Sequence, residues 1–150
     1  MQRTKCKTIK LILIAALVIV YVLPIQVSMN MWYYCFVYQF FHANIFHLLA
    51  NLYALYLIRL TKERVIASYI ISIFPVLLFP GAIGISGMLL SIIGMYSSKK
   101  TWIQFSIFSL ITFFIPNMAF AVHTVCFVLG SIYGKISIVL DDYQRAYTGR

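Results

Sequence analysis

Six apolar stretches, separated by short polar or turn-forming segments, divide the chain. Taken in order they predict helices over about Ile9–Val27, Asn44–Ile58, Val65–Phe79, Ile85–Tyr96, Trp102–Ile115 and Met118–Leu140. Pro80 and Gly81 are expected to stop the third, and Pro116-Asn117 to turn the chain before the sixth. Between the first two lies "SMNMWYYCFVYQFFHANIF", whose aromatic residues suit a membrane interface. No low-complexity linker, separate soluble domain or internal repeat breaks the pattern. The expected architecture is a single all-α domain over residues 1–150, a six-transmembrane-helix bundle. Several stretches are shorter than the roughly 20 residues that a bilayer asks for. They are expected to extend into the interfaces or to sit in locally thinned membrane.

Composition sharpens this picture. Of 150 residues, 63% are hydrophobic and 10% charged, against roughly 25% charged in an ordinary soluble domain. Too few polar residues remain to cover a water-facing surface, so a polytopic membrane protein is expected. The net charge of +9 raises the question of nucleic acid, but the cations are not arranged for it. They fall into four clusters between the apolar stretches: Arg3, Lys5, Lys7 and Lys10; Arg59, Lys62 and Arg64; Lys99 and Lys100; Lys135, Arg145 and Arg150. Glu63, Asp141 and Asp142 lie among them. Basic residues held on the cytoplasmic face give this pattern, with both termini on that side and no nucleic-acid partner. The first stretch resembles a signal peptide, yet "QVSMN" after it offers no small-x-small cleavage site, so it reads as an uncleaved span. A short chain without further domains points to a multi-pass protein of a bacterial plasma membrane. Cys6, Cys35 and Cys126 then fall on the inner side, on the outer side and within a helix, which is no disulfide framework or thiolate cluster.

Candidate chemistry comes from polar residues inside the apolar stretches. A lone serine such as Ser86 in an apolar helix is ordinarily satisfied by its own backbone, and flanking glycines serve packing. Partners change that reading. His47 lies 12 residues before Arg59, Ser86 13 before Lys99, and His123 12 before Lys135. At 1.5 Å per residue all three stand about 18–20 Å above the basic anchors, in the outer half of a membrane. Asn51 follows His47 by one turn on the same face. Gly84, Gly87, Ser91 and Gly94 form one small-residue stripe, and Cys126, Gly130 and Gly134 another. Such stripes let two helices approach closely and would bring Ser86 and His123 to one seam. A hydroxyl beside an imidazole is a nucleophile with a general base. Every acidic residue lies among the basic clusters, so a dyad and not a triad is expected. The Ser86 backbone N–H, with neighbouring Gly87, the His47 ring and the Asn51 amide are the candidate oxyanion donors.

These residues resemble the motifs of the rhomboid family of intramembrane serine proteases. The matching pieces are "HANIFHLLAN" with His42, His47 and Asn51, "GISG" with Ser86, and "HTVCFVLGSIYG" with His123, Gly130 and Gly134. They recur in the family's order across nearly the whole chain. The resemblance implies a six-helix rhomboid-like bundle, Ser86 as nucleophile and His123 as its base, with oxyanion help from His47 and Asn51. It gives His42 a supporting role and requires neither cofactor nor metal. The implied reaction is hydrolysis of a peptide bond in or near the transmembrane segment of a membrane-protein substrate, at a site open to the extracytoplasmic side. The partners are that substrate and the lipid bilayer. Three departures stand out: a short first outer loop without a Trp-Arg motif, Leu90 where many relatives have tyrosine, and Cys126 where glycine is expected.

Two other readings compete. One is a rhomboid-fold protein that binds transmembrane segments with weak or no catalysis, favoured by the short loop and Leu90. The other is a metal or haem site built from His42, His47 and His123. It leaves Ser86, its glycines and Asn51 without a purpose.

Overall fold

The computed structural model describes residues 2–23, 33–79, 81–114 and 119–148. Among these the chain forms seven α-helices: α1 (Gln2–Val22), α2 (Tyr34–Val37), α3 (Ile45–Leu57), α4 (Lys62–Leu78), α5 (Ser86–Met95), α6 (Lys99–Phe113) and α7 (Phe120–Thr148). A single 3-10 turn, Tyr38–Phe40, follows α2. The proposed ends at Val27, Ile115 and Met118, and the breakers Pro80, Pro116 and Asn117, lie outside the described residues.

Local chemistry sets the boundaries. Asn44, Thr61 and Ser98 have extended backbones ahead of α3, α4 and α6. Their side chains accept from the N–H groups of His47 (2.9 Å), Arg64 (3.3 Å) and Thr101 (3.2 Å). Each satisfies a donor that the first helical turn would leave bare, an effect of about 1 kcal/mol. α3 ends where Ile58 turns extended (ψ 140°), and α5 cannot begin before Gly84, whose φ is +96°. α4 runs through Pro75, which is buried and has no N–H to give.

These stops overturn the six-pass bundle. α7, with 29 residues, is the one described helix long and apolar enough to cross a membrane. α3 and α5 are apolar but have 13 and 10 residues, about 20 and 15 Å against a hydrocarbon core of about 30 Å. α1 is as long as a span, but Lys7 and Lys10, with Arg3 and Lys5 before them, leave only Leu11–Val22 apolar. α4 begins Lys-Glu-Arg and α6 begins Lys-Lys. The count of apolar residues misled because it let the stretches run on into the interfaces, whereas caps and a left-handed glycine cut them short. The multi-pass placement in a bacterial plasma membrane, with its outward-opening site, depended on six spans and is corrected with them: a single long apolar helix does not support it.

α5 lies at the centre. Its main partner is α7, and α4 packs against both, while α6 meets α7 along a shorter contact. α1 covers α3 and the 3-10 turn. On one side of α5, Leu17, Leu48, Leu55, Leu60, Ile85, Met88, Leu89 and Ile92 form a core. Tyr34, Cys35, Tyr38, Val76, Ala82, Val122 and Cys126 form a second, built from α2, the 3-10 turn, α4, α7 and the turn before α5. The two small-residue stripes do meet. A Cβ added at Gly94 would strike the Phe127 carbonyl, one at Gly130 the Ser91 backbone, and one at Gly134 the Met95 backbone. The glycines therefore bring α5 and α7 together backbone to backbone.

Candidate active site

Ser86 is the first residue of α5 and is half-buried, and His123 lies in the first turn of α7. Ser86 Oγ and His123 Nε2 are 2.8 Å apart, a hydrogen bond of good length. The imidazole is 7% exposed, enclosed by the α5–α7 seam, with the Phe108 ring 6.2 Å away. Its other nitrogen, Nδ1, is buried and has no hydrogen-bond partner among the described residues. Among the described residues no carboxylate bonds the ring, so Ser86 and His123 stand as a pair without a third member.

The first turn of α5 is unusual among the capped helices. Its N-cap is Ile85, which offers no side-chain acceptor. Leu89 N–H is the first to find a helical carbonyl, that of Ile85 (3.0 Å). The Ser86 and Gly87 N–H groups therefore stand at the positive end of the helix with no acceptor among the described residues, beside the serine hydroxyl.

α3 brings its polar side chains to the same place. His47 and Asn51 sit one turn apart, and Asn44 fixes the start of that helix through the His47 N–H. Both face the turn just before the serine. A Cβ on Gly84 would lie 2.7 Å from His47 Cε1, 2.8 Å from His47 Nε2 and 3.2 Å from Asn51 Nδ2. Only glycine fits here, on two counts: the φ of +96° and the imidazole that occupies the space. Asn51 is 5% exposed, and its Nδ2 has no acceptor among the described residues. A buried amide donor without a partner costs about 1–3 kcal/mol, so a group kept in that state invites an explanation.

His42 stands one step further out. Its ring packs edge-on to that of His47, with centroids 5.1 Å apart. Burial, then the neighbouring His47, pushes its pKa down to about 4. Among the described residues no group of three His, Cys, Asp or Glu side chains is placed to hold a metal ion, so the three-histidine metal reading gains no geometric support. Cys126 fills the place of the expected glycine. A Cβ at Gly87 would lie 3.2 Å from its Sγ, so the thiol packs on the residue after the serine. Cys35 and Cys126 are both buried, and neither forms a disulfide among the described residues.

One part of the site went unread in the sequence. Tyr34 and Tyr38 are buried, on α2 and the 3-10 turn, and both bond toward the serine turn. Their spacing of four in "YYCFVYQF" is a helical signal, but among so many aromatics it merged into a membrane-interface pattern. No protein-family model matches the chain, and no curated protein matches its sequence.

Proposed function

We propose that this chain is a serine peptidase working through a Ser86–His123 dyad. The observation that carries the proposal is the 2.8 Å contact between Ser86 Oγ and His123 Nε2 at a glycine-lined helix seam. In the reaction His123 takes the hydroxyl proton as Ser86 Oγ attacks the substrate carbonyl carbon. The carbonyl oxygen becomes an oxyanion. The free N–H groups of Ser86 and Gly87 and the unpartnered Asn51 amide are the donors nearest to where that charge develops, with His47 beside them. The C–N bond then breaks and His123 returns its proton to the leaving amine. Water, deprotonated by the same imidazole, hydrolyses the acyl ester and frees Ser86. His42 packs on His47 and supports its orientation.

The substrate we propose is a peptide bond in or beside the transmembrane segment of a membrane protein. Two things support this: the motif resemblance to rhomboid proteases, and large apolar side chains left exposed, Leu11, Phe46, Ile70 and Phe114 among them, which suit an apolar partner or lipid. A helical backbone is hydrogen-bonded and resists attack. Segments with small or helix-breaking residues at the scissile bond are therefore preferred.

The test uses the full chain purified in detergent, a fluorophosphonate probe and a model transmembrane substrate. Labelling and cleavage in the wild type, both absent in Ser86→Ala and His123→Ala, support the peptidase. Cleavage that survives Ser86→Ala overturns it. A chain that is never labelled but retains the transmembrane peptide is a binding protein instead.

A further inference from the structure

The segment that carries α2 and the 3-10 turn, ahead of α3, is bonded to the serine turn in a way that packing does not require. Tyr34 Oη donates to the Ala82 carbonyl. The Gly84 N–H donates to the Tyr38 carbonyl at 3.0 Å. Tyr38 Oη in turn donates to the Ser72 carbonyl on α4 at 2.8 Å, and Tyr69 Oη on α4 donates to the Phe36 carbonyl at 2.8 Å. The two tyrosines are 4% and 1% exposed. Tyr38 Oη also lies 3.3 Å from where a Gly87 Cβ would stand, so the same hydroxyl borders the residue after the serine.

The serine turn needs such support. Residues 82–85 form no regular structure, Gly81 and Gly84 both have positive φ, and α5 starts without a side-chain cap. A loop with two such glycines has many conformations open to it. Two bonds from one strap, at Ala82 and Gly84, bracket the turn, and α4 anchors the strap from behind.

We propose that Tyr34 and Tyr38 are positioning residues for Ser86. Through Ala82 and Gly84 they hold the turn that aims the serine hydroxyl at His123 and sets the Gly84 backbone against His47 and Asn51. The proposal rests on the dyad reading above for its effect on reactivity, but the restraint on the turn is a separate physical claim.

The experiment measures fluorophosphonate inactivation of the full chain in wild type, Tyr34→Phe, Tyr38→Phe and Ser131→Ala. Each phenylalanine keeps the ring and removes only the hydroxyl: Tyr34→Phe loses the bond to the Ala82 carbonyl, and Tyr38→Phe loses the anchor to the Ser72 carbonyl that holds the Tyr38 backbone carbonyl against the Gly84 N–H. Ser131→Ala removes a comparable buried hydroxyl bond, to the Phe127 carbonyl, away from the turn. Misaimed nucleophiles lose rate steeply, by about 100-fold for a 1 Å error. The limiting inactivation rate should therefore fall at least tenfold in Tyr34→Phe and Tyr38→Phe, with the probe's binding constant within twofold and Ser131→Ala at the wild-type rate. A general loss of stability would lower all three alike. Hydrogen exchange gives the readout that does not depend on reactivity. The amides of residues 84–88 should exchange at least tenfold faster in Tyr34→Phe, with those of residues 127–134 unchanged. If Tyr38→Phe does not fold, Tyr34→Phe carries both measurements. Wild-type labelling with an unchanged rate in Tyr34→Phe overturns the positioning role alone. A wild type that is never labelled removes the dyad reading, and unchanged exchange at 84–88 then removes this one too.

Discussion

Gly130→Ala tests whether the glycine seam is what delivers His123 to Ser86. Gly130 is seven residues after His123 on α7, and it faces Ser91, five residues after Ser86 on α5. An alanine Cβ would stand 2.8 Å from both the carbonyl carbon and the Cα of Ser91. Comfortable carbon contacts are about 3.5–4.0 Å, so the helices must part by about 1 Å. Neither side can yield by changing a rotamer, because the obstacle is backbone. Overpacking of this kind costs about 1–3 kcal/mol, and here the upper end applies. Alanine returns up to about 1 kcal/mol as the better helix former. The net loss is about 2 kcal/mol, or a fall in Tm of about 4–8 °C for a domain of this size. The catalytic effect is larger. A parting of about 1 Å lengthens the 2.8 Å Ser86–His123 contact beyond hydrogen-bond range, and the fluorophosphonate rate should fall by about 100-fold. Differential scanning fluorimetry and inactivation kinetics on the same preparation read both. A raised Tm would mean that helix propensity outweighs the clash. A normal labelling rate would mean that the seam does not position the dyad.

Further outcomes follow from the same geometry. Asn51→Ala removes the unpartnered donor beside Gly84, and turnover of a model substrate should fall by about 100-fold with KM little changed; a rise confined to KM would assign Asn51 to substrate binding instead. His42 has a folded pKa of about 4, below the ordinary histidine value of 6.5, so the unfolded chain binds the extra proton first. Its contribution to stability is therefore present above about pH 6.5 and is lost as the pH falls toward 4. Thermal melts across that window should show a slope that His42→Asn reduces, and an unchanged slope would place the acid sensitivity elsewhere.

The sequence was most informative where spacing alone settles what a helix face carries. Ser86, His123 and His47 were singled out by their distance from a basic anchor and Asn51 by its place one turn from His47. The membrane depth read into those distances did not survive, but the two small-residue stripes did announce the α5–α7 seam that brings Ser86 and His123 within 2.8 Å. The start of α3 was legible at Asn44, whereas α4 and α6 begin three residues earlier than the apolar pattern suggested, at Lys62 and Lys99, because Thr61 and Ser98 cap them there. Helix lengths were not. Whether an apolar run continues depends on a single backbone angle, as at Ile58 and Gly84, and hydropathy does not report angles. Those angles shorten α3 and α5, charged residues open α1, α4 and α6, and only α7 among the described helices is long and apolar enough to cross a bilayer.

By itself, then, the sequence determined which residues share a face and which helices can touch through glycine. Those are consequences of periodicity and of residue type, both local. Only the tertiary structure decided that Asn51 and His47 close on Gly84, that Tyr34 and Tyr38 tie down the turn before Ser86, and how far each helix runs. These depend on atoms distant along the chain, and on backbone torsions that neighbouring segments impose, which no run of hydrophobic and polar positions encodes.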